Sequence, residues 1–174
     1  ILFERSGGGS AGSLQFYTNS DGASVTERLR ITSTGKIWIG TTTGQIINSH
    51  EPRLQISGND YKQSTVSIIN NAADATGAYL FFSKQRSGSG GGNTAVNADD
   101  ILGELRFNAA DGTDMNSLGG RIIVTAEANA SSNSTPSYMT FHTASSTDNG
   151  SAPERLRITS GGNVGIGQVN PLYK

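Results

Sequence analysis

The chain contains the stretch ERLRITSTGKIWIG at residues 27–40 and repeats it, as ERLRITSGGNVGIG, at residues 154–167. In the first copy Leu29 and Ile31 alternate with arginines, which predicts a strand with one apolar face. Gly35 can adopt a positive φ and marks a turn, and the isoleucines of KIWIG then form a second short apolar stripe. Each copy therefore predicts a strand, a tight turn and a second strand.

The repeat extends upstream of these two stretches. SLQFYT at 13–18 corresponds to YMTFHT at 138–143, and a polar loop follows each of them. The copies begin 127 residues apart, which is longer than one solenoid coil, so each unit must hold several strands. Trp38 of the first copy is replaced by Gly165 in the second, so this position is not a required core site.

The paired arginines of ERLRIT have two interpretations. They can form a solvated strand face that pairs with Glu27 or Glu154 across the ladder, or they can bind a ligand. The pattern favours the solvated face, because charged residues alternate with the apolar stripe in both copies.

The composition indicates that the side chains of this chain have little volume with which to fill a hydrophobic core. Gly supplies 23 of the 174 residues and, with Ser, Thr and Asn, makes up more than two fifths of the chain. Such a mixture suits turns and exposed strands and disfavours helices. A self-sufficient monomer core is not expected, and the apolar stripes are predicted to be buried against other copies of the chain.

Other stretches have the same alternating pattern, separated by clusters of Gly, Asn, Asp and Ser. No window sustains a 3.6-residue apolar period over three turns, so an all-β fold of about a dozen short strands is predicted. These further strands are predicted at 52–57, 64–70, 78–85, 101–108, 120–128 and 137–143.

Charge and residue usage narrow the classes of function. The net charge is −1 and the basic residues are scattered, so neither a nucleic-acid face nor a polybasic membrane patch is predicted. There is no cysteine, which excludes disulfides and thiolate metal sites. No apolar run approaches the ~20 residues of a membrane-spanning helix. The first residues, ILFERSGGGS, lack a starting Met and a signal-peptide profile, and they are interpreted as the middle of a longer chain.

The candidates for catalysis or metal binding are weak. Asp99 and Asp100 precede a predicted strand and Asp111 begins a D-G turn, so capping and turn roles account for these residues. The spacing of DGTDMN does not fit a calcium loop. His142 alternates with Phe141 and is predicted to point away from it, and His50 lies 92 residues before it. Neither catalysis nor a cofactor is therefore predicted, and the acidic candidates are Asp99, Asp100, Glu104, Asp111, Asp114 and Glu127.

The second half of the chain resembles the repeat module of tailed-phage tail fibres and tail spikes. In those proteins a G-x-[LI]-x-F strand precedes a D-G turn, an apolar strand and an [LM]-x-F-x-T strand. A polar loop, E-R-[LM]-R-I, S-x-G-x-[VI]-G-I-G and a Pro then follow. The residues that match are Gly103–Phe107, Asp111–Gly112, Ile122–Val124, Met139–Thr143, Glu154–Ile158, Ser160–Gly167 and Pro171. The family usually has Thr-Thr or a similar pair where this chain has Gln168-Val169-Asn170.

The resemblance implies an intertwined homotrimeric β-prism or β-helix, in which two identical chains are the partners of each chain. It also implies three segments: 1–43 as the end of a preceding repeat, 44–171 as one complete repeat, and 172–174 as the start of the next. The module often precedes a self-cleaving intramolecular chaperone. The residues expected to face the trimer core are Leu29, Ile31, Ile37, Ile39, Leu156, Ile158, Val164 and Ile166.

The resemblance further implies a non-enzymatic, structural and adhesive role in a virion tail fibre, which attaches the phage to a host cell and is extracellular during infection. A host surface polysaccharide or protein is the expected receptor. The alternatives are a polysaccharide-degrading tail spike and a prokaryotic surface filament that uses the same module. The candidates for receptor contact are Arg86, Asn93, Asn129, Asn133 and Tyr138.

Overall fold

The computed structural model describes residues 2–5, 11–19, 22, 24–148 and 150–172. The regular secondary structure of these described residues consists of ten strands and no helix, and the strands form two five-stranded sheets. The all-β prediction is confirmed. The chain divides into two compact units, 1–78 and 79–174, and each contains one sheet. This division concerns compactness and not repeat ancestry, so the repeat boundary after residue 43 stays a prediction.

The sheet of the first unit follows chain order, β1-β2-β3-β4-β5. Its first four strands pair antiparallel, and β5 lies parallel to β4 after a long connection. The strands are β1 (Leu2–Arg5), β2 (Gly12–Thr18), β3 (Thr26–Ile31), β4 (Ile37–Ile39) and β5 (Leu54–Ile56).

The sheet of the second unit is a fully antiparallel meander. Its order is β10-β9-β8-β7-β6, so β6 and β10 are the two edges. The strands are β6 (Ile101–Ala109), β7 (Ser117–Ala126), β8 (Ser137–Thr143), β9 (Glu154–Ile158) and β10 (Val164–Ile166).

Both copies of the repeated stretch fold into the same hairpin. In the first copy the Gly35 amide donates to the Thr32 carbonyl at 2.9 Å, and the Lys36 amide donates to the Thr32 hydroxyl at 3.0 Å. In the second copy Gly162 and Asn163 make the equivalent bonds to Thr159, at 3.0 and 3.1 Å. Both glycines have positive φ, 73° and 79°, as the turn prediction requires.

The two copies also share a β-bulge. Phe16 pairs with Leu29, but the next residue of β2 pairs with Glu27, so Arg28 is the extra residue. The second copy has the same shift between β8 and β9, where Arg155 is extra. Because one residue is skipped, the glutamate that precedes it lies on the same face of the sheet as the second arginine of ERLRIT.

The exchange of Trp38 for Gly165 has a local explanation in each unit. The Trp38 ring lies against Gly44, where even a Cβ atom would come within 2.4 Å of the ring. At Gly165 a Cβ atom would come within 2.1 Å of the Gln168 carbonyl oxygen, because the chain after β10 folds back over this position. Backbone thus occupies in the second copy the place that a side chain takes in the first.

Two predicted strands are wrong. Within the described part of the chain, residues 57–100 hold no strand, although 64–70 and 78–85 have the composition of strands. Their side chains are almost entirely exposed. A strand needs a ladder partner as well as a suitable composition, and these segments find none in their own sheets. In the opposite sense, β1 lies in a stretch for which no strand was predicted.

Candidate interaction surface

One face of the second sheet is continuously apolar. The bulge and the two-residue period of the strands bring the apolar residues of all five strands into two cross-strand rows. The first row consists of Leu105, Ile122, Phe141, Leu156 and Ile166. The second row consists of Gly103, Val124, Met139, Ile158 and Val164.

This apolar face is poorly covered. None of its ten described residues is buried, and the exposed fraction reaches 80% at Ile166 on the edge strand β10. Residues 80–82 cover the opposite end, where a Cβ atom on Gly103 would lie 2.7 Å from that of Phe82. A cavity of about 420 Å³ remains between this segment and the sheet. Each chain therefore leaves open a large part of its own apolar surface.

The other face of the same sheet is polar and better buried. Thr140 is only 2% exposed and lies between Ile123 and Arg157 in the ladder. Its hydroxyl oxygen is 3.0 Å from Nε2 of His142. Nδ1 of His142 is 2.9 Å from the Ala152 carbonyl. The predicted orientation of His142, away from the neighbouring phenylalanine, is confirmed by its place on this face.

Glu154 and Arg157 organise the polar face near β9. Both carboxylate oxygens of Glu154 accept bonds from the Arg157 guanidinium, at 2.9 and 2.8 Å, and these bonds hold the pKa of Glu154 below its ordinary value. The same guanidinium lies 4.1 Å from the centre of the Tyr138 ring, within cation–π range. The predicted pairing of arginine with glutamate is thus correct, but it runs along one strand and not across the ladder.

The first sheet has the same two-sided construction. Its apolar face carries two rows, one through Leu14, Ile31, Ile37 and Leu54 and one through Phe16, Leu29, Ile39 and Ile56. None of these eight described residues is buried. On the polar face Gln15 is completely buried and its amide donates to the Ser13 hydroxyl at 2.8 Å. Arg30 binds both oxygens of Glu27, at 2.7 and 2.6 Å, and lowers its pKa.

All eight residues predicted to face a trimer core lie on these apolar faces. In the first sheet Leu29 is opposite Ile39, and Ile31 is opposite Ile37. In the second sheet the two corresponding pairs, between β9 and β10, are Leu156 with Ile166 and Ile158 with Val164. The structure therefore brings four of the eight together in each unit. Whether they face a threefold axis stays a prediction.

The five candidates for receptor contact differ in the contacts that they make within the chain, and their contact with a receptor stays a prediction. The Arg86 guanidinium donates to both carboxylate oxygens of Asp100, at 2.5 and 2.8 Å, and Tyr138 lies against Arg157. Asn129 accepts a bond from the Ala98 amide at 2.9 Å. Asn93 and Asn133 are exposed, the latter with a φ of 59°. Three of the five thus have structural contacts of their own.

Three of the acidic candidates have structural partners, and one of them, Asp111, has the predicted turn role. Asp111 accepts bonds from the Thr113 amide at 2.8 Å and from the Ser117 hydroxyl at 2.8 Å, which lowers its pKa. Glu127 accepts a bond from the Ser160 amide at 2.9 Å. The bonds from Arg86 lower the pKa of Asp100 to about 2.

In the part of the chain that the structure describes, no group of three His, Asp or Glu side chains is arranged to hold a metal ion. The same residues include no helix of the length and apolarity that a bilayer crossing requires.

Sequence reasoning missed two features of this surface. The first is the bulge at Arg28 and Arg155, which places the glutamate–arginine pairs on the polar face. Its only signal in the sequence is that a Glu precedes the arginine pair in both copies. The second is the exposed segment at 79–82, where Tyr79 and Phe81 stack with ring centres 5.6 Å apart. The pattern of these side chains predicts a strand, but it carries no information on what that strand pairs with.

Comparison with solved structures identifies proteins of similar fold. The carboxy-terminal domain of the bacteriophage T5 L-shaped tail fibre aligns over 98% of this chain and 71% of its own, with a TM-score of 0.67 and 13% sequence identity. The chain shares the fold of a phage tail-fibre domain. A structure of the T5 domain with its intra-molecular chaperone domain aligns over 98% of this chain with a TM-score of 0.70 and 13% identity. The chain spans about half (49%) of that longer structure. No protein-family profile and no curated protein matches the sequence.

Proposed function

We propose that the chain is a structural and adhesive segment of a phage tail fibre, in which three identical copies bury their apolar sheet faces in one shared core. One observation carries the proposal: in both units the polar face of the sheet is the better buried one, and the apolar face is left open. A sheet that covers the core of a monomer has the opposite arrangement.

The energetic reason is the cost of leaving this surface in water. Burial of one large aliphatic or aromatic side chain is worth about 1.5–3 kcal/mol. Monomeric proteins rarely expose a continuous apolar patch beyond about 300–600 Å². The two rows of the second sheet alone contain nine large apolar side chains and one glycine. Association of identical chains through this face removes the cost, and closed symmetry limits the assembly to a defined number of copies.

The likeness to the T5 tail-fibre domain supports the rest of the proposal. That protein is part of a phage tail fibre, and the present chain has a similar fold along nearly all of its length. The proposed place of this chain is therefore the tail fibre of a virion, outside the cell during infection. The proposed role is attachment to a host surface polysaccharide or protein through the polar faces and loops that the shared core leaves outward.

The shape and binding of the purified assembly test the proposal. Negative-stain electron microscopy is expected to show short rods with threefold symmetry in end views, and the labelled protein is expected to bind the surface of a subset of bacterial strains. Compact globular particles would contradict the fibre. Release of reducing ends from the capsule of a bound strain would contradict the non-enzymatic role and indicate a polysaccharide-degrading tail spike.

A further inference from the structure

Tyr79 and Phe81 form a stacked pair, and Phe81 also lines the cavity between this segment and the sheet. Their ring centres are 5.6 Å apart and their planes are inclined by 19°. The neighbouring Phe82 holds the segment on the sheet at Gly103. Phe81 is nevertheless 79% exposed. Two rings that are stacked on each other and largely exposed lose little conformational entropy when they bind, which is the property of an interface anchor.

The two ends of the apolar face differ in a complementary way. At the β6 end the segment 80–82 already covers the sheet, but a cavity of about 420 Å³ remains beneath it, lined mainly by apolar residues such as Leu105, Val124 and Met139. At the β10 end Val164 and Ile166 are exposed and uncovered. The β6 end therefore has a partly enclosed apolar cavity, and the β10 end has exposed apolar side chains that association can bury.

The cavity at the β6 end is large enough to hold side chains from the β10 end. An apolar cavity of about 150 Å³ accommodates a benzene ring, so the larger cavity can accept two aliphatic side chains. The exposed apolar side chains of the 79–82 segment and of the β9–β10 end number seven: Tyr79, Leu80, Phe81, Phe82, Ile158, Val164 and Ile166. At roughly 100 Å² of exposed surface each, they supply about 700 Å². Because four of these residues lie on one copy and three on the next, this sum is under half of the ~1,600 Å² total of a standard interface, and the rest of the shared core supplies the remainder.

We infer that the β10 end of one copy seats in the cavity at the β6 end of the next copy, with Ile166 beneath the Tyr79–Phe81 stack. The occupant is a second copy of this chain. The two surfaces in contact are different, so the interface is heterologous, and it closes into a ring only when each copy supplies both surfaces. The inference rests on the proposed shared core, and it adds which ends of neighbouring sheets meet and which aromatic residues join them.

A photo-crosslinking experiment tests this contact. Benzoyl-phenylalanine replaces Phe81 and is irradiated in the intact assembly, after which crosslinked peptides are identified by mass spectrometry from mixtures of isotope-labelled and unlabelled chains. The expected result is a crosslink between two chains, from position 81 to residues 158–166. Tyr61 is the matched control, because it is 77% exposed and lies outside the proposed contact. The same probe at position 61 is expected to give at least tenfold less crosslinking between chains.

The outcomes separate the contact from the assembly. A trimeric mass with crosslinks only within one chain, or to residues far from 158–166, overturns the proposed contact and leaves the shared core in place. A monomeric mass of the unsubstituted chain overturns the shared core and the contact together. A second substitution, Phe81→Ser, is expected to shorten the lifetime of the assembly in hot detergent at least tenfold, and an unchanged lifetime would contradict the contact.

Discussion

The carboxylate of Glu154 is bound by the guanidinium of Arg157 through two hydrogen bonds, at 2.9 and 2.8 Å, although residues three apart on a regular strand lie on opposite faces. The bulge at Arg155 makes this contact possible by shifting the register by one residue. Glu27 and Arg30 repeat the arrangement in the other sheet. The repeated hexapeptide thus encodes a bulged strand with a polar face stabilised by an ion pair and an apolar face left free for association.

Replacement of Arg157 by Gln is expected to destabilise the protein by about 1–2 kcal/mol. The substitution removes an ion pair that is mostly shielded from solvent and a cation–π contact with Tyr138. The decrease is measured as a lower midpoint of thermal unfolding. Arg155→Gln is the control, because half of the Arg155 side chain is exposed and its nearest carboxylate is 3.6 Å away. Equal effects of the two substitutions would contradict the role given to the bulge.

Stability is expected to be constant from neutral pH down to about pH 5 and to fall below it. The carboxyls of Glu154 and Asp100 have pKa values lowered by their arginine partners, so each prefers to be ionised in the folded state. Such a group stabilises the fold above its ordinary pKa and loses this effect as the pH falls through the folded value. For Asp100 the loss lies between pH 3.8 and about 2.

The substitution Arg86→Gln tests this assignment. It removes the main cause of the low pKa of Asp100, so the variant is expected to melt earlier than the wild type at pH 7. The difference between the two melting temperatures is then expected to shrink as the pH falls from 4 to 2. Lys84→Gln, which keeps the bonds from Arg86, is the control and is expected to have a much smaller effect. A difference that is independent of pH would show that Asp100 does not carry the effect.

Gly165→Ala is expected to cost about 1–3 kcal/mol of stability. The new Cβ atom would lie 2.1 Å from the Gln168 carbonyl oxygen, and backbone cannot move aside as cheaply as a side chain. Gly161 lies four residues earlier in the same hairpin, and a Cβ atom there would meet nothing closer than 3.8 Å. Gly161→Ala is therefore expected to be close to neutral in chemical denaturation. If both substitutions were neutral, this would contradict the close approach of the Gln168 backbone to Gly165.

Ile166→Ser is expected to weaken the assembly while leaving the single chain folded. In one chain Ile166 is 80% exposed, so its own fold gains little from it, and Leu172 is exposed to the same degree, 78%. Only Ile166 lies on the apolar face of the sheet. The serine substitution at 166 is expected to lower the temperature of dissociation in detergent by several degrees, and that at 172 is expected to leave it unchanged. Identical behaviour of the two variants would contradict burial of this face between chains.

Much of the fold follows from local sequence. The hairpins are encoded by a strand pattern and a glycine at the turn, so their position in both copies was predictable from residues 27–40 and 154–167. Strand β8 coincides with the predicted 137–143. These features need only neighbouring residues, because alternation and turn chemistry act over a few positions.

The features that were not predictable depend on pairing between distant residues. The bulge at Arg155 arises because β9 has one residue more than β8 between two paired positions, and neither strand alone reveals this difference. The segment 78–85 has the alternation of a strand, but a strand is defined by its partner, and its own sheet offers it none. An alternating pattern does not tell which of the two faces is covered, so the open apolar face was expected only from the low side-chain bulk of the chain.

The mass of the purified chain in solution, measured by light scattering, tests the shared core most directly. The account predicts a single species near three times 18.1 kDa, whose band on an unboiled detergent gel shifts to that of one chain only after heating. A folded, detergent-sensitive species of 18.1 kDa would contradict it, because the apolar faces of both sheets would then be stable in water without a partner.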